Sequence, residues 1–274
     1  MKRGSTKGSP VIGFVETFVA VLTSFLIPAL GGLAVITTAS RLMGRRIAAA
    51  FALGLYFWFF IDTIGDASLL GVDQGYTGGA FHLLLWLVFA LGIGLLFGLD
   101  RDMFSSASAR EGLTIPLLVA IAIGIHGIGE GAGIGATAST TPATDLLSAF
   151  GGLTAAAAFI IHKGLEPMIA GAAYVIYSNG STRRFAQRIK DIVLIALALS
   201  VPGILGGAAG YYVVLAFPNV DFTYIFALGL GTSIYAVFRL AKSLFGTEST
   251  SSVKVALAFI AGFTCLYLAA LLHS

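Results

Sequence analysis

The chain has 274 residues, 57% of them hydrophobic and only 11% charged, with a mean hydropathy of +0.94. A water-soluble domain carries about 25% charged residues, so composition excludes a soluble globule and leaves no stretch long enough for an attached soluble enzyme domain. The net charge of +3 comes from basic residues scattered over connections, not gathered into a stripe, which points to orientation in a membrane and away from nucleic acid.

Eight apolar stretches follow in chain order, each near the roughly 20 residues that a helix needs to cross a bilayer. They cover 12–39, 47–69, 80–98, 113–136, 147–177, 191–216, 221–243 and 253–272. The first follows Lys2, Arg3 and Lys7 and contains only Glu16 among charged residues. It is too long for the roughly 7–15-residue apolar core of a signal peptide, so it reads as a retained span. The single cysteine, Cys265, cannot form an internal disulfide.

The connections alternate in charge. The first has Arg41, Arg45 and Arg46, the third Arg101 and Arg110, the fifth Arg183, Arg184, Arg188 and Lys190, and the seventh Arg239, Lys242 and Lys254. The even connections have no Lys or Arg. This places the odd connections in the cytoplasm and both termini outside, against the vote of the three basic residues at the start. Arg239 and Lys242 read as anchors at the cytoplasmic end of the seventh span.

An internal repeat is expected. Gly31-Gly32 and Gly206-Gly207 are each followed, at the same spacing, by Phe-Ala-Leu-Gly-Leu, at 51–55 and 226–230. The offset is 175 throughout, while Pro28 and Pro202 stand one residue out of step. An offset of five spans turns the second copy upside down. Inverted repeats build secondary transporters with a site near the midplane. The expected fold is therefore an all-α polytopic membrane protein of eight transmembrane helices in a 3+2+3 arrangement. It is one transmembrane domain, 1–274, with a first three-span repeat at 1–100, a helix pair at 111–180 and a second repeat at 189–274.

The helix pair carries the chemistry. His126 and Glu130 on the fourth span, and His162 and Glu166 on the fifth, are each four residues apart and so share a helix face. Ionisable residues inside a membrane default to a functional hypothesis. Two imidazoles and two carboxylates at mid-depth suit a divalent cation: Zn²⁺ first, then Fe²⁺, Mn²⁺ or Co²⁺. Pro167 removes an N–H and crowds the carbonyl one turn earlier, so a kink beside the site is expected. Lys163, too deep to reach an interface, is expected to pair with Glu166 or Glu130 and to stand in for a second metal ion.

The two His-x-x-x-Glu motifs, 126–130 and 162–166, resemble the paired fourth- and fifth-span motifs of the ZIP (Zrt-, Irt-like) metal transporters. The likeness rests on about a dozen residues and on the span pattern. It implies that His126, Glu130, His162 and Glu166 are primary ligands of the transported metal. It also implies import into the cytoplasm by an elevator-like shift of the site helices, in the plasma membrane, with Cd²⁺ among the cations. This sequence departs from the family pattern at Gly127, Gly129 and Lys163, and in having Pro167 after the acid instead of before it.

Asp62, Asp66 and Glu16, near the outer ends of the first two spans, are candidates for an acidic entrance that concentrates cations, or for ordinary solvated residues. The metal is expected as substrate; no organic cofactor is expected. The bilayer is the expected partner, and a homodimer is left open. The competing readings are a membrane-embedded metal-dependent hydrolase, with Glu130 or Glu166 as base, and a ZIP-like relative whose Lys163 has changed the substrate. No nucleophilic set or phosphate loop is recognisable, so an enzyme is not expected.

Overall fold

The computed structural model describes residues 12–67, 80–100, 112–140, 146–178, 185–218, 220, 222–245 and 252–271, without the side chains of 62–67, 80–82, 243–245, 252 and 270. These residues form eight α-helices: α1 Phe14–Met43, α2 Arg45–Ala67, α3 Ala80–Leu99, α4 Thr114–Thr140, α5 Leu153–Tyr177, α6 Phe185–Ala216, α7 Thr223–Phe245 and α8 Ser252–Ala270. No strand occurs among them. Five helices (α1, α4, α5, α6 and α7) are long and apolar enough to cross a bilayer, and α3 and α8 add the shorter apolar lengths Leu83–Leu99 and Val253–Ala269. Large apolar side chains such as Val15, Leu153, Leu205 and Ile260 stay exposed on outward faces. The described residues are all-helical, and apolar exterior faces of this extent mark a protein of membrane type.

Two helix boundaries differ from the apolar runs. The fifth run is divided: a short 3-10 helix at Leu146–Phe150 leads through Gly151 and Gly152 into α5. The positive φ values of these glycines, 85° and 107°, make the turn. α6 starts at Phe185, because Arg188 and Lys190 are good helix formers that hydropathy alone assigns to a loop. Gly44, at φ 83°, ends α1, and α2 starts with the next residue.

The helices sort into two bundles. α1, α4, α5 and α6 pack on one another, as do α2, α3, α7 and α8, and the bundles meet chiefly through α4 on α7 and α5 on α2. Residue pairs fix the helix directions. Going along α4 through Gly124, Gly131 and Gly135, the neighbours on α6 climb from Ala198 through Gly203 to Gly207, so these helices run parallel. α1 and α5 are likewise parallel: Phe25 meets Phe159, Gly32 meets Gly164 and Ile36 meets Gly171. α4 and α7 run antiparallel, with Ala122 beside Thr232, His126 beside Gly229 and Gly129 beside Phe226. α1 and α6 are antiparallel too, since Phe25 lies against Gly203, Val21 against Gly207 and Ile12 against Tyr211.

The main pairings survive an exchange of α1, α2 and α3 with α6, α7 and α8 and of α4 with α5. Under it α1–α5 becomes α6–α4, α2–α8 becomes α7–α3 and α4–α7 becomes α5–α2. An exception is α5, which also packs on α8, whereas α4 and α3 have no comparable pairing among the described residues. The register of the exchange can be read from glycines with no room for a Cβ. Gly32 is seated on the carbonyl of Gly164, and Gly206 on the carbonyl of Ile128. Residues 164 and 128 differ by 36, the spacing that separates His126 from His162. Gly32 and Gly206 differ by 174, the offset of the two prolines. The offset of 175 expected from the pentapeptides does not describe these contacts. Gly54 lies against the Phe259 backbone of α8, and Gly229 against the His126 backbone of α4. A sequence match counts identities, whereas packing aligns the faces that touch, and these differ by a residue or two.

Arg239 is not the exposed anchor that its place in the sequence suggests. It is fully buried, ion-paired with Asp100 at the end of α3. The Tyr235 hydroxyl donates to the same carboxylate oxygen at 2.6 Å, and the Tyr177 hydroxyl donates to the Arg239 carbonyl at 3.0 Å. A buried guanidinium requires such partners, because a lone charge in an apolar interior is very costly. Tyr177 belongs to α5, so this network also links the two bundles.

Candidate metal centre

α4 and α5 place the polar cluster where the two bundles meet. Glycines let α4 lie almost backbone to backbone on α6: a Cβ on Gly131 or Gly135 would strike the carbonyl of Gly203 or Gly207. His126 and Glu130 therefore stand on a stripe held rigidly by α6. Its imidazole is wedged edge-on between Phe59 of α2, at 4.7 Å between ring centroids, and Phe226 of α7, at 5.5 Å. α5 continues as helix through Pro167, whose ring packs toward the Gly32 position of α1.

Three of the four expected ligands converge. His126, Glu130 and Glu166 each offer a ligand atom, and these atoms lie within 4.8 Å of one another. His126 Nε2 is 3.7 Å from Glu130 Oε1. Around a Zn²⁺ ion with ligand bonds of about 2 Å, donor atoms sit about 3–3.5 Å apart, so the cluster needs to contract by about 1 Å. His162 sits next to this set. Its Nε2 hydrogen-bonds Glu166 Oε1 at 2.8 Å and lies 3.9 Å from Glu130 Oε1. Its Nε2 is therefore engaged by Glu166.

Lys163 occupies the centre of the cluster. Its ammonium is 2.6 Å from Glu166 Oε2 and ion-paired with Glu130 Oε2. It lies 5.1 Å from the Phe25 ring centroid and 5.7 Å from that of Phe159, in cation–π range. Both expected pairings of Lys163 thus occur together. In formal charge the ammonium balances one of the two carboxylates it touches. A cavity of about 10 Å³ beside Lys163, Glu166 and Gly127 has room for one water at most. Among the described residues the Nδ1 of His126 has no hydrogen-bond partner, although a metal-bound imidazole ordinarily donates from its second nitrogen.

Of the three residues expected to form an acidic entrance, only the Glu16 side chain is described. Glu16 is exposed and its carboxylate accepts the Gly13 backbone N–H at 2.9 Å, so it caps the start of α1. The side chains of Asp62 and Asp66 lie outside the described residues. Sequence reasoning missed the aromatic shell of Phe25, Phe59, Phe159 and Phe226. A Phe in an apolar helix carries no signal of the face it presents, although Phe226 opens the second copy of the repeated pentapeptide. No family model matches the chain, and no curated protein is similar to it.

Proposed function

We propose that the chain is a secondary transporter of a divalent metal cation, Zn²⁺ first, then Fe²⁺, Mn²⁺, Co²⁺ or Cd²⁺, and a divergent relative of the ZIP transporters. The observation that carries this reading is the convergence of His126, Glu130 and Glu166, from two neighbouring helices, inside an apolar bundle. Such a set has little structural use in hydrocarbon, where charged groups are costly and mark ion pathways.

The alternating helix directions suit eight crossings of the bilayer, with the exchange of the two halves acting as a two-fold axis in the membrane plane. The cation sits on the α1/α4/α5/α6 bundle, which slides as an elevator against α2/α3/α7/α8, and enters the cytoplasm on the side of the arginine-rich connections. Lys163 fills the place of a second ion and keeps the acids apart from bulk water until the cargo arrives. Cation binding moves the ammonium off at least one carboxylate, and one ion binds per chain. Transport is preferred to hydrolysis because Glu130 and Glu166 are both engaged by Lys163, which leaves neither as a free base. The tight packing around Lys163 favours, as a second reading, a relative whose substrate is no longer a metal.

Uptake of ⁶⁵Zn²⁺ by proteoliposomes tests the proposal. Wild type is expected to take up metal saturably, and His126→Ala to bind Zn²⁺ at least about 100-fold more weakly, beyond the loss typical of outer-shell changes. Uptake by wild type no faster than by empty vesicles, with no bound metal by elemental analysis, would favour the second reading.

A further inference from the structure

A second pocket lies well away from the metal ligands, at the end of the molecule where α1 finishes and α6 begins. Its volume is about 490 Å³, within the roughly 300–1,000 Å³ of ligand sites. Three guanidinium groups, Arg41, Arg45 and Arg188, line it, and no described carboxylate does.

The rest of the wall is apolar. Phe185, Ile189 and Ile192 follow one another at helical spacing on α6, with Arg188 on the same stripe. Phe185 is 78% exposed and Ile189 48%, and the exposed Val193 continues this face along the helix away from the arginines. Positive charge at a helix end, running into an exposed apolar groove, complements one kind of molecule: an anion that carries a long hydrocarbon tail.

We propose that this pocket binds an anionic phospholipid, its phosphate held by Arg41, Arg45 and Arg188 and an acyl chain lying along Phe185, Ile189 and Val193. Guanidinium forks match phosphate oxygens in geometry as well as charge, and basic pockets between membrane helices hold lipid head groups. A free inorganic phosphate would use the arginines and leave the groove empty. Because Arg45 opens α2 while the other walls come from α1, α5 and α6, a bound lipid touches both bundles.

Native mass spectrometry of the full chain, released from micelles doped with equal phosphatidylglycerol and phosphatidylcholine, tests this. Wild type is expected to retain one phosphatidylglycerol in preference to phosphatidylcholine. Arg41→Gln and Arg188→Gln should each weaken retention about fivefold, the factor that corresponds to about 1 kcal/mol per arginine near a membrane surface. Lys254→Gln, equal in charge but outside the pocket, should leave it unchanged. An unchanged melting temperature shows that a variant is folded. Equal retention of both lipids, an equal loss in Lys254→Gln, or displacement of the lipid by millimolar inorganic phosphate would overturn the proposal.

Discussion

In the proposed transporter, Lys163 is the residue expected to set how many ions the site holds. Its ammonium pairs with both the partly buried Glu130 and the buried Glu166, which would otherwise repel each other. Lys163→Met removes that charge while keeping most of the stem's volume. The carboxylates then need another cation, so the variant should bind a second divalent ion where wild type binds one. Isothermal titration with elemental analysis reads the change directly, and one ion in both proteins would show that Lys163 does not stand in for a metal. Melting should also become metal-dependent. Loss of one partner from a buried ion pair costs about 3–5 kcal/mol, and excess Zn²⁺ should restore much of that in the variant by mass action.

The Arg239–Asp100 pair obeys the same rule without any cargo. Arg239→Leu leaves Asp100 buried and uncompensated and should cost about 3–5 kcal/mol, whereas adding Asp100→Leu should recover most of it. Urea or thermal melts of the two single variants and the double variant close the cycle. A double variant as unstable as the sum of the singles would mean that the pair carries no coupling.

At the scale of elements, glycine decides which helices touch. Gly31 and Gly32 are neighbours in sequence with opposite surroundings. A Cβ at Gly31 meets nothing within 4 Å, whereas one at Gly32 would overlap the Gly164 carbonyl. Gly31→Ala is therefore expected to be neutral or slightly stabilising, and Gly32→Ala to cost about 1–3 kcal/mol by forcing α1 from α5. Gly206→Ala should behave like Gly32→Ala, since the two glycines make equivalent contacts. Thermal melts in detergent separate the three, and equal stability of Gly31→Ala and Gly32→Ala would contradict the packing. The existence of these helices was legible in the sequence, because apolar runs of that length have few other uses. Their partners were not: Phe-Ala-Leu-Gly-Leu reads alike at 51–55 and 226–230, yet Gly54 of the first copy lies on α8, whereas in the second copy Leu228 lies on α3 and Gly229 on α4.

For the whole molecule, the elevator reading requires the α4–α7 seam to slide. The Thr232 hydroxyl donates to the Ala122 carbonyl at 3.0 Å across that seam. In a Cys265→Ser background, Ala122→Cys with Thr232→Cys places two thiols there. Oxidation should arrest uptake and a reductant should restore it, whereas full activity of the cross-linked protein would show that the seam stays fixed during transport.

What the sequence by itself determined was chemical and one-dimensional: a membrane-type helical chain, and two His-x-x-x-Glu stripes, each carrying an imidazole and an acid on one helix face. Hydrophobicity and helical period are local properties, so both could be read without a fold. Only the tertiary structure decided that Glu130 of α4 reaches Glu166 of α5, that Lys163 lies between them, that His162 is held by Glu166, and that Arg239 is buried against Asp100. Those are distances between side chains on different helices. They are set by which glycines admit a neighbouring backbone and by the need of each buried charge for a partner, and neither condition is written at any single position of the chain.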